Sequence, residues 1–260
     1  GSLTTFLMNA NGMSNTGLAQ QGFAPDTEHA IWMISNGTSA PGLRSTLNYF
    51  TAGVAQIQPD GALPTVTDPV ILDATLQPGY AGSPVVSVDG SVAGASTDGL
   101  VLNTPGCEVR GLTLGGFTGS GIVVSAANCT LTGNWIGLNA AGTAALANTV
   151  DGINVSADGA VIGGNTSQLR NVVSGNGSDG IRVQFTVAGC TIRGNYVGTN
   201  ASGTAAIANG TLVTPSAGLE VDGNNITVGG AGAGERNVIS GNADAGVRMS
   251  GNTNQFIGNV

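Results

Sequence analysis

The sequence predicts an all-β solenoid, a parallel β-helix in which short strands coil around one continuous core. The stretch "GNWIGLNAAGTAALAN" (133–148) returns as "GNYVGTNASGTAAIAN" (194–209), and a long-range repeat buries a core by stacking copies of one unit. Short alternating segments rich in Val, Ile and Leu recur between Gly and Asn clusters, as is typical of strands. The 44 glycines and 8% charged residues indicate many tight turns.

The first strand of each repeat is an alternating segment whose first and third residues are predicted to face inward. These segments start at Cys107, Cys129, Ala160, Cys190, Ile226 and Gln255, and read "CEVRG", "CTLTG", "AVIGG", "CTIRG", "ITVGG" and "QFIGN". The intervals between them differ in length but the pattern is kept, which indicates loops of variable length between constant strands.

A second alternating strand closes most repeats, from "DGLVL" (98–102) to "AGVRM" (245–249). Two aliphatic columns are predicted to face inward: Leu100, Ile122, Ile153, Ile181, Leu219 and Val247, then Leu102, Val124, Val155, Val183, Val221 and Met249. A third strand lies between the first two and is clearest in "RNVVSGN" (170–176) and "RNVISGN" (236–242). Three strands per coil, each paired with its equivalent about 4.8 Å away, describe a parallel β-helix.

The repeated segment "GLNAAGTAALAN" (137–148) is interpreted as a longer loop, inserted at the same corner of every second coil. Loops on one face of a repeat protein often bind ligands, but they are also places where insertions are tolerated. Both interpretations stay open from the sequence.

The N-terminal part is predicted to cap the solenoid. The segment "PGLRSTLNYFTAG" (41–53) has Pro41 near its first turn and Gly53 past its end, which predicts a short helix that covers the first strands. Residues 1–28 show no clear period. We therefore assign 1–52 to an N-terminal segment with its capping helix, and 53–260 to the β-helix, which we expect to continue into or contact another chain or domain.

Charge and composition limit the partners. The formal net charge is −8 and all seven basic residues are Arg, so nucleic acid and anionic membranes are not expected, since both need a basic patch. Membrane insertion is not expected either, because no apolar run approaches the roughly 20 residues that span a bilayer. We expect no cofactor and no metal site, since His29 is the one histidine and no CxxC motif occurs.

A family resemblance supports this fold. The segments "IWMISNGTSAPGLRSTL" and "PVILDATLQPGYAGSPVVSVDGS", with the "GNxxGxNAxGTAAxAN" and "RNVxSGN" repeats, resemble secreted bacterial right-handed parallel β-helix repeat proteins. The resemblance covers about residues 30–260. It implies a right-handed helix and a secreted or cell-surface location in a multi-domain protein, and it supplies no catalytic residues.

Cys107, Cys129 and Cys190 occupy the same inward position of the first strand. Cys107 and Cys129 have a spacing compatible with a disulfide, but side chains stacked in parallel rarely orient correctly for one. Buried thiols acting as small hydrophobic groups are the favoured interpretation.

Two sets of charged residues are weak site candidates. Asp151 and Asp179 precede equivalent strands, which predicts two carboxylates about 5 Å apart, as a retaining glycosidase would use; Asp-Gly is also ordinary turn chemistry. Arg182, Glu220 and Arg248 fall at successive outward positions of the second strand. They predict either a site for a sugar acid or a solvated charge ladder.

The leading functional hypothesis is a non-enzymatic extracellular solenoid with a structural, adhesive or carbohydrate-binding role. The first alternative is a polysaccharide lyase or glycoside hydrolase, which rests on fold analogy. The second alternative is a self-assembling fibre or surface-layer subunit, since an open solenoid end is a template for pairing with another chain. The expected partners are therefore a polysaccharide or further copies of the chain.

Overall fold

The computed structural model describes residues 3–12, 28–32, 34–37, 49–211 and 216–260. Within these ranges most of the regular structure is β-strand, arranged in three parallel sheets, and the one α-helix, α1 (Leu3–Gly12), lies near the N-terminus. This confirms the all-β parallel architecture and is consistent with a solenoid.

The strands are numbered in chain order from β1 to β21. Sheet A contains β1 (Glu28–Ile31), β3 (Val70–Asp73), β6 (Glu108–Arg110), β9 (Thr130–Thr132), β12 (Val161–Gly163), β15 (Thr191–Arg193), β18 (Thr227–Gly229) and β21 (Gln255–Ile257). Sheet B contains β2 (Ala55–Ile57), β4 (Val86–Asp89), β7 (Leu112–Gly115), β10 (Trp135–Ile136), β13 (Val172–Val173), β16 (Tyr196–Val197) and β19 (Val238–Ile239). Sheet C contains β5 (Leu100–Leu102), β8 (Ile122–Val124), β11 (Ile153–Val155), β14 (Ile181–Val183), β17 (Ala217–Val221) and β20 (Ala245–Met249).

Burial along the strands follows the predicted inward columns. In sheet C, Ile153 aligns with Ile122 on one side and with Ile181 on the other, and all three side chains are fully buried. In sheet A the predicted inward residues from Cys107 to Val228 are likewise buried. Val247 and Met249 of β20 are only partly covered, because β20 is the outermost strand of sheet C.

The predicted start of the last segment is wrong by one residue. Gln255 aligns with Thr227 and Phe256 with Val228, so Asn254 occupies the position equivalent to Ile226. The pairing places Phe256, and not Gln255 or Ile257, in the inward column.

A ladder of buried asparagines runs along the corner between sheets A and B. Its first four members directly precede sheet B strands and are fully buried, and Asn259 continues the ladder beyond β19: Asn134, Asn171, Asn195, Asn237 and Asn259. Asn171 shows the pattern: its Oδ1 accepts from the backbone N–H of Asn134 (3.0 Å), while its Nδ2 donates to the carbonyl oxygen of Leu131 (2.8 Å). The ladder therefore satisfies backbone groups at a corner, where sheet pairing is interrupted.

A second ladder runs along the corner between sheets B and C, through Asn148, Asn176, Asn209 and Asn242. The Nδ2 of Asn148 donates to Oδ1 of Asn176 (2.9 Å), and the Nδ2 of Asn176 donates to Oδ1 of Asn209 (2.9 Å). The two ladders brace both ends of the short sheet B strands.

The repeated loops lie where the sequence predicts them. They follow β10 and β16, which are separated in sheet B by β13, so they occur at alternate strands. The two loops touch, since the N–H of Ala201 donates to the carbonyl oxygen of Gly142 (2.9 Å). Gly142 has a φ of +67°, and a Cβ there would lie 2.5 Å from that of Ala201. This close approach requires glycine.

The predicted capping helix at 41–53 is only partly testable. Residues 41–48 lie outside the described residues, and 49–53 are not helical, since Thr51 forms an antiparallel bridge with Val54. The observed helix α1 lies instead within residues 1–28, for which no period was identified. Leu3 and Leu7 of α1 pack against the core cluster. Among the described residues, no helix is both long and apolar enough to cross a membrane.

The three cysteines are free and buried. A hydrogen bond with Cys129, together with burial, raises the pKa of the Cys107 thiol, and burial raises the pKa of Cys190. The hydrogen bond with Cys107 lowers the pKa of the Cys129 thiol. Thiols that stay protonated are poor nucleophiles and poor metal ligands, which for Cys107 and Cys190 agrees with the interpretation as small hydrophobic groups.

We expect Asn171→Ala to lower the free energy of unfolding by roughly 2–4 kcal/mol, because it removes the side-chain acceptor of the Asn134 N–H and a donor to the carbonyl of Leu131, both buried. Asn165→Ala, at an exposed position, serves as the control and should change stability by about 0.5 kcal/mol or less. Urea unfolding followed by circular dichroism measures both. Equal stability of the two variants would show that the ladder contributes nothing.

Candidate functional site

The predicted catalytic pair lies in a third ladder, beside sheet C. Asp151 and Asp179 are buried at neighbouring positions before β11 and β14. Oδ1 of Asp151 accepts from the backbone N–H of Asp179 (3.1 Å), and Oδ1 of Asp179 accepts from that of Ala217 (2.7 Å). Each carboxylate therefore binds the backbone of the following strand rather than its own turn.

The remaining carboxylate oxygens are also occupied. Oδ2 of Asp151 accepts from the side-chain amide of Asn154 (3.1 Å), and Oδ2 of Asp179 accepts from Arg182 (3.1 Å). Burial and the nearby charge of Asp179 raise the pKa of Asp151. The structure thus brings the two predicted acids together, but as buried acceptors and not as open catalytic groups.

The predicted ladder of Arg182, Glu220 and Arg248 has the expected register. Glu220 does not form ion pairs with both neighbouring arginines. Arg248 pairs with Glu220 (3.5 Å), whereas Arg182 pairs with Asp179 and Asp222. Burial, followed by the charges of Asp179 and Asp222, raises the pKa of Glu220.

Acids outnumber the two arginines on this face. The carboxylates in contact with the arginines or with each other are Asp151, Asp179, Glu220, Asp222 and Asp244. Both guanidinium groups are already paired, so the outer face of sheet C is a poor receptor for a sugar acid.

A groove of about 590 Å³ lies on the outer face of sheet A. Its floor is formed by outward residues of β9 and β12, namely Thr130, Thr132, Val161 and Gly163. Glu108 and Arg110 stand at one end and Arg193 at the other. We call this feature the sheet A groove.

One side of the sheet A groove is built by two corner segments. Tyr80 follows β3, and Gln168 and Leu169 belong to a short 3₁₀ helix, Ser167–Leu169, that follows β12. Both segments pack against Gly133. If this residue carried a Cβ, that atom would lie 2.8 Å from the carbonyl oxygen of Gln168 and 3.5 Å from Oη of Tyr80. Glycine at this position therefore leaves the room that both segments need.

Two polar atoms of the groove residues are buried without a hydrogen-bond partner in the described part of the chain, Oη of Tyr80 and Nε of Arg193. Burial, followed by the charge of Asp73, raises the pKa of Tyr80, so its hydroxyl keeps its proton and can donate. The sequence reasoning missed this site. The signal was present in the outward column Arg110, Thr132, Gly163 and Arg193, where two large residues flank two small ones.

A second hollow, of about 430 Å³, lies on sheet B beside the first repeated loop. Asp89 lines it, but Oδ2 of Asp89 already accepts from Gln56 (2.8 Å) and Gln58 (3.0 Å). The polar groups of this hollow are better satisfied than those of the sheet A groove.

A scan against protein-family models and a search of the curated proteins found no match to this chain.

We expect Asp151→Asn to gain stability relative to the wild type as pH rises from about 3 to about 7. The pKa of Asp151 is raised in the folded state, so the folded state holds this proton more tightly than the unfolded state does. The wild type is therefore stabilised below the ordinary pKa of 3.8 and loses that stabilisation as pH rises through the folded-state pKa. Asparagine can still accept from the N–H of Asp179 and carries no charge. Urea unfolding across this range measures the effect.

Asp60→Asn, at an exposed carboxylate, is the matched control and should show a smaller change with pH. If the difference between wild type and Asp151→Asn stays constant with pH, the buried carboxylate does not limit stability.

Proposed function

We propose that the chain is a non-enzymatic, secreted or cell-surface β-solenoid that acts as a rigid scaffold. One observation carries the proposal: in Asp151 and Asp179, the paired catalytic candidates, one carboxylate oxygen bonds the backbone of the next repeat and the other bonds a nearby side chain of the same repeat. A glycosidase acid must donate its proton to a leaving group, and its partner must attack or activate water. A buried carboxylate whose oxygens already accept hydrogen bonds can neither donate a proton to a leaving group nor attack or activate water.

The proposed scaffold is a right-handed helix with three strands per coil. From β3 to β21, successive strands enter sheets A, B and C in turn, which supports three strands per coil. Connections between parallel strands of the same sheet are right-handed in nearly all proteins, because strand twist favours that direction.

The proposed location rests on composition and on the resemblance to secreted β-helix repeat proteins. The low charge, absence of lysine and abundance of Asn, Ser, Thr and Gly suit a surface built from hydrogen-bonding groups. Self-association through the solenoid ends stays a prediction, to be checked by sedimentation at increasing concentration.

The hydrolase or lyase alternative is tested by incubating the purified chain with neutral and acidic polysaccharides, with and without calcium. We expect no new reducing ends and no unsaturated products in any incubation. Turnover that disappears in both Asp151→Asn and Asp179→Asn would identify an enzyme and overturn the scaffold proposal. Turnover that persists in both variants would overturn it as well, and would place catalysis elsewhere on the chain.

A further inference from the structure

We propose that the sheet A groove binds a neutral oligosaccharide. The inference goes beyond the proposed scaffold, because a scaffold needs no ligand. It uses none of the charged residues of sheet C.

The first argument is shape. Arg110 pairs with Thr132, and Gly163 pairs with Arg193, along one outward column of sheet A. Two long side chains are therefore separated by two small ones over three strand spacings, or roughly 14 Å. The volume of about 590 Å³ falls within the range of roughly 300–1,000 Å³ that is usual for sites of small ligands.

The second argument is the state of the polar groups. Oη of Tyr80 and Nε of Arg193 are buried donors that lack a partner among the described residues. A buried donor without an acceptor is unfavourable by about 1–3 kcal/mol. Both atoms are covered by protein, so each side chain must shift on binding before its donor reaches an acceptor of a ligand that carries hydroxyl groups. The same ligand supplies donors to the hydroxyls of the groove floor.

The third argument is charge. The guanidinium of Arg110 pairs with Glu108 and Asp73, and that of Arg193 pairs with Glu235 (2.8 Å). Each arginine charge is already balanced, so an anionic ligand would have to compete with protein carboxylates. Charged pairs of this kind still offer hydrogen bonds to neutral hydroxyl groups.

The fourth argument is the mixture of surfaces. Val161, Leu169 and the ring of Tyr80 give the groove apolar area beside its polar groups, which suits the C–H faces of a sugar ring. A peptide added as a further strand does not fit, because β6, β9, β12 and β15 are each paired on both sides. Side chains alone must therefore recognise the ligand.

The test is isothermal titration calorimetry with the whole chain. The probes are short soluble oligosaccharides of glucose, xylose, mannose and galactose, with oligogalacturonate as the acidic comparison. We expect at least one neutral probe to bind and oligogalacturonate to bind more weakly. Tyr80→Phe, which removes only the hydroxyl, and Thr132→Val, which replaces a floor hydroxyl at constant shape, should each weaken binding by about fivefold or more.

The matched controls remove the same groups elsewhere. Tyr196 lies on sheet B, and Thr227 lies on sheet A outside the groove. Neither Tyr196→Phe nor Thr227→Val should change the affinity. If Tyr80→Phe fails to fold, as circular dichroism would show, Thr132→Val decides the test.

Three results would overturn the inference: no binding of any neutral probe, equal effects of the groove and control variants, or binding of oligogalacturonate alone. Cleavage of a bound probe is a separate result. It would overturn the scaffold proposal while leaving the groove as the place where the sugar binds.

Discussion

Side-chain acceptors at the corners are the interaction on which the rest of this fold depends. Sheet pairing satisfies the backbone within the strands, but it stops where the chain turns from one sheet to the next. At those turns Asn134, Asn171 and their equivalents accept from one backbone N–H and donate to a carbonyl of a neighbouring strand. Because each buried group left unpaired would be unfavourable by about 1–3 kcal/mol, each repeat from β9 onward supplies such a side chain.

The need for side-chain partners at the corners explains why asparagine recurs in the repeats and why aspartate also recurs before the sheet C strands. Asparagine serves two corners because its amide both donates and accepts. The corner between sheets B and C also carries Asp98, Asp151 and Asp179, each accepting from a backbone N–H of the next repeat. Their carboxylates link each repeat to the next, which accounts for these negative charges beside sheet C. The long loops repeat for a related reason, since Gly142 and Ala201 must fit against each other.

The sequence predicts the strands well, because alternation is a local property that each strand carries by itself. The columns from Leu100 to Val221 are buried as expected. The asparagine ladders were missed although their members recur at strand ends, because a ladder joins residues about 22–42 positions apart and becomes visible only with the register. The start at Gln255 failed for the same reason. Helix α1 was missed because its apolar face consists of only a few residues.

The sheet A groove could not be predicted from any one strand, because it depends on differences between neighbouring corners. Only Gly133 and Asn134 lie between β9 and β10, whereas the corners after β3 and β12 are longer and carry Tyr80 and Gln168. The long corners therefore extend over the short one and create a wall. On sheet B the corresponding space is occupied, since Val172 is buried between Trp135 and Tyr196 in the register. On sheet C the charged side chains bind each other. The stretch of sheet A from β6 to β15 thus combines polar groups, apolar area and open volume, the three features on which the proposed recognition of an oligosaccharide depends.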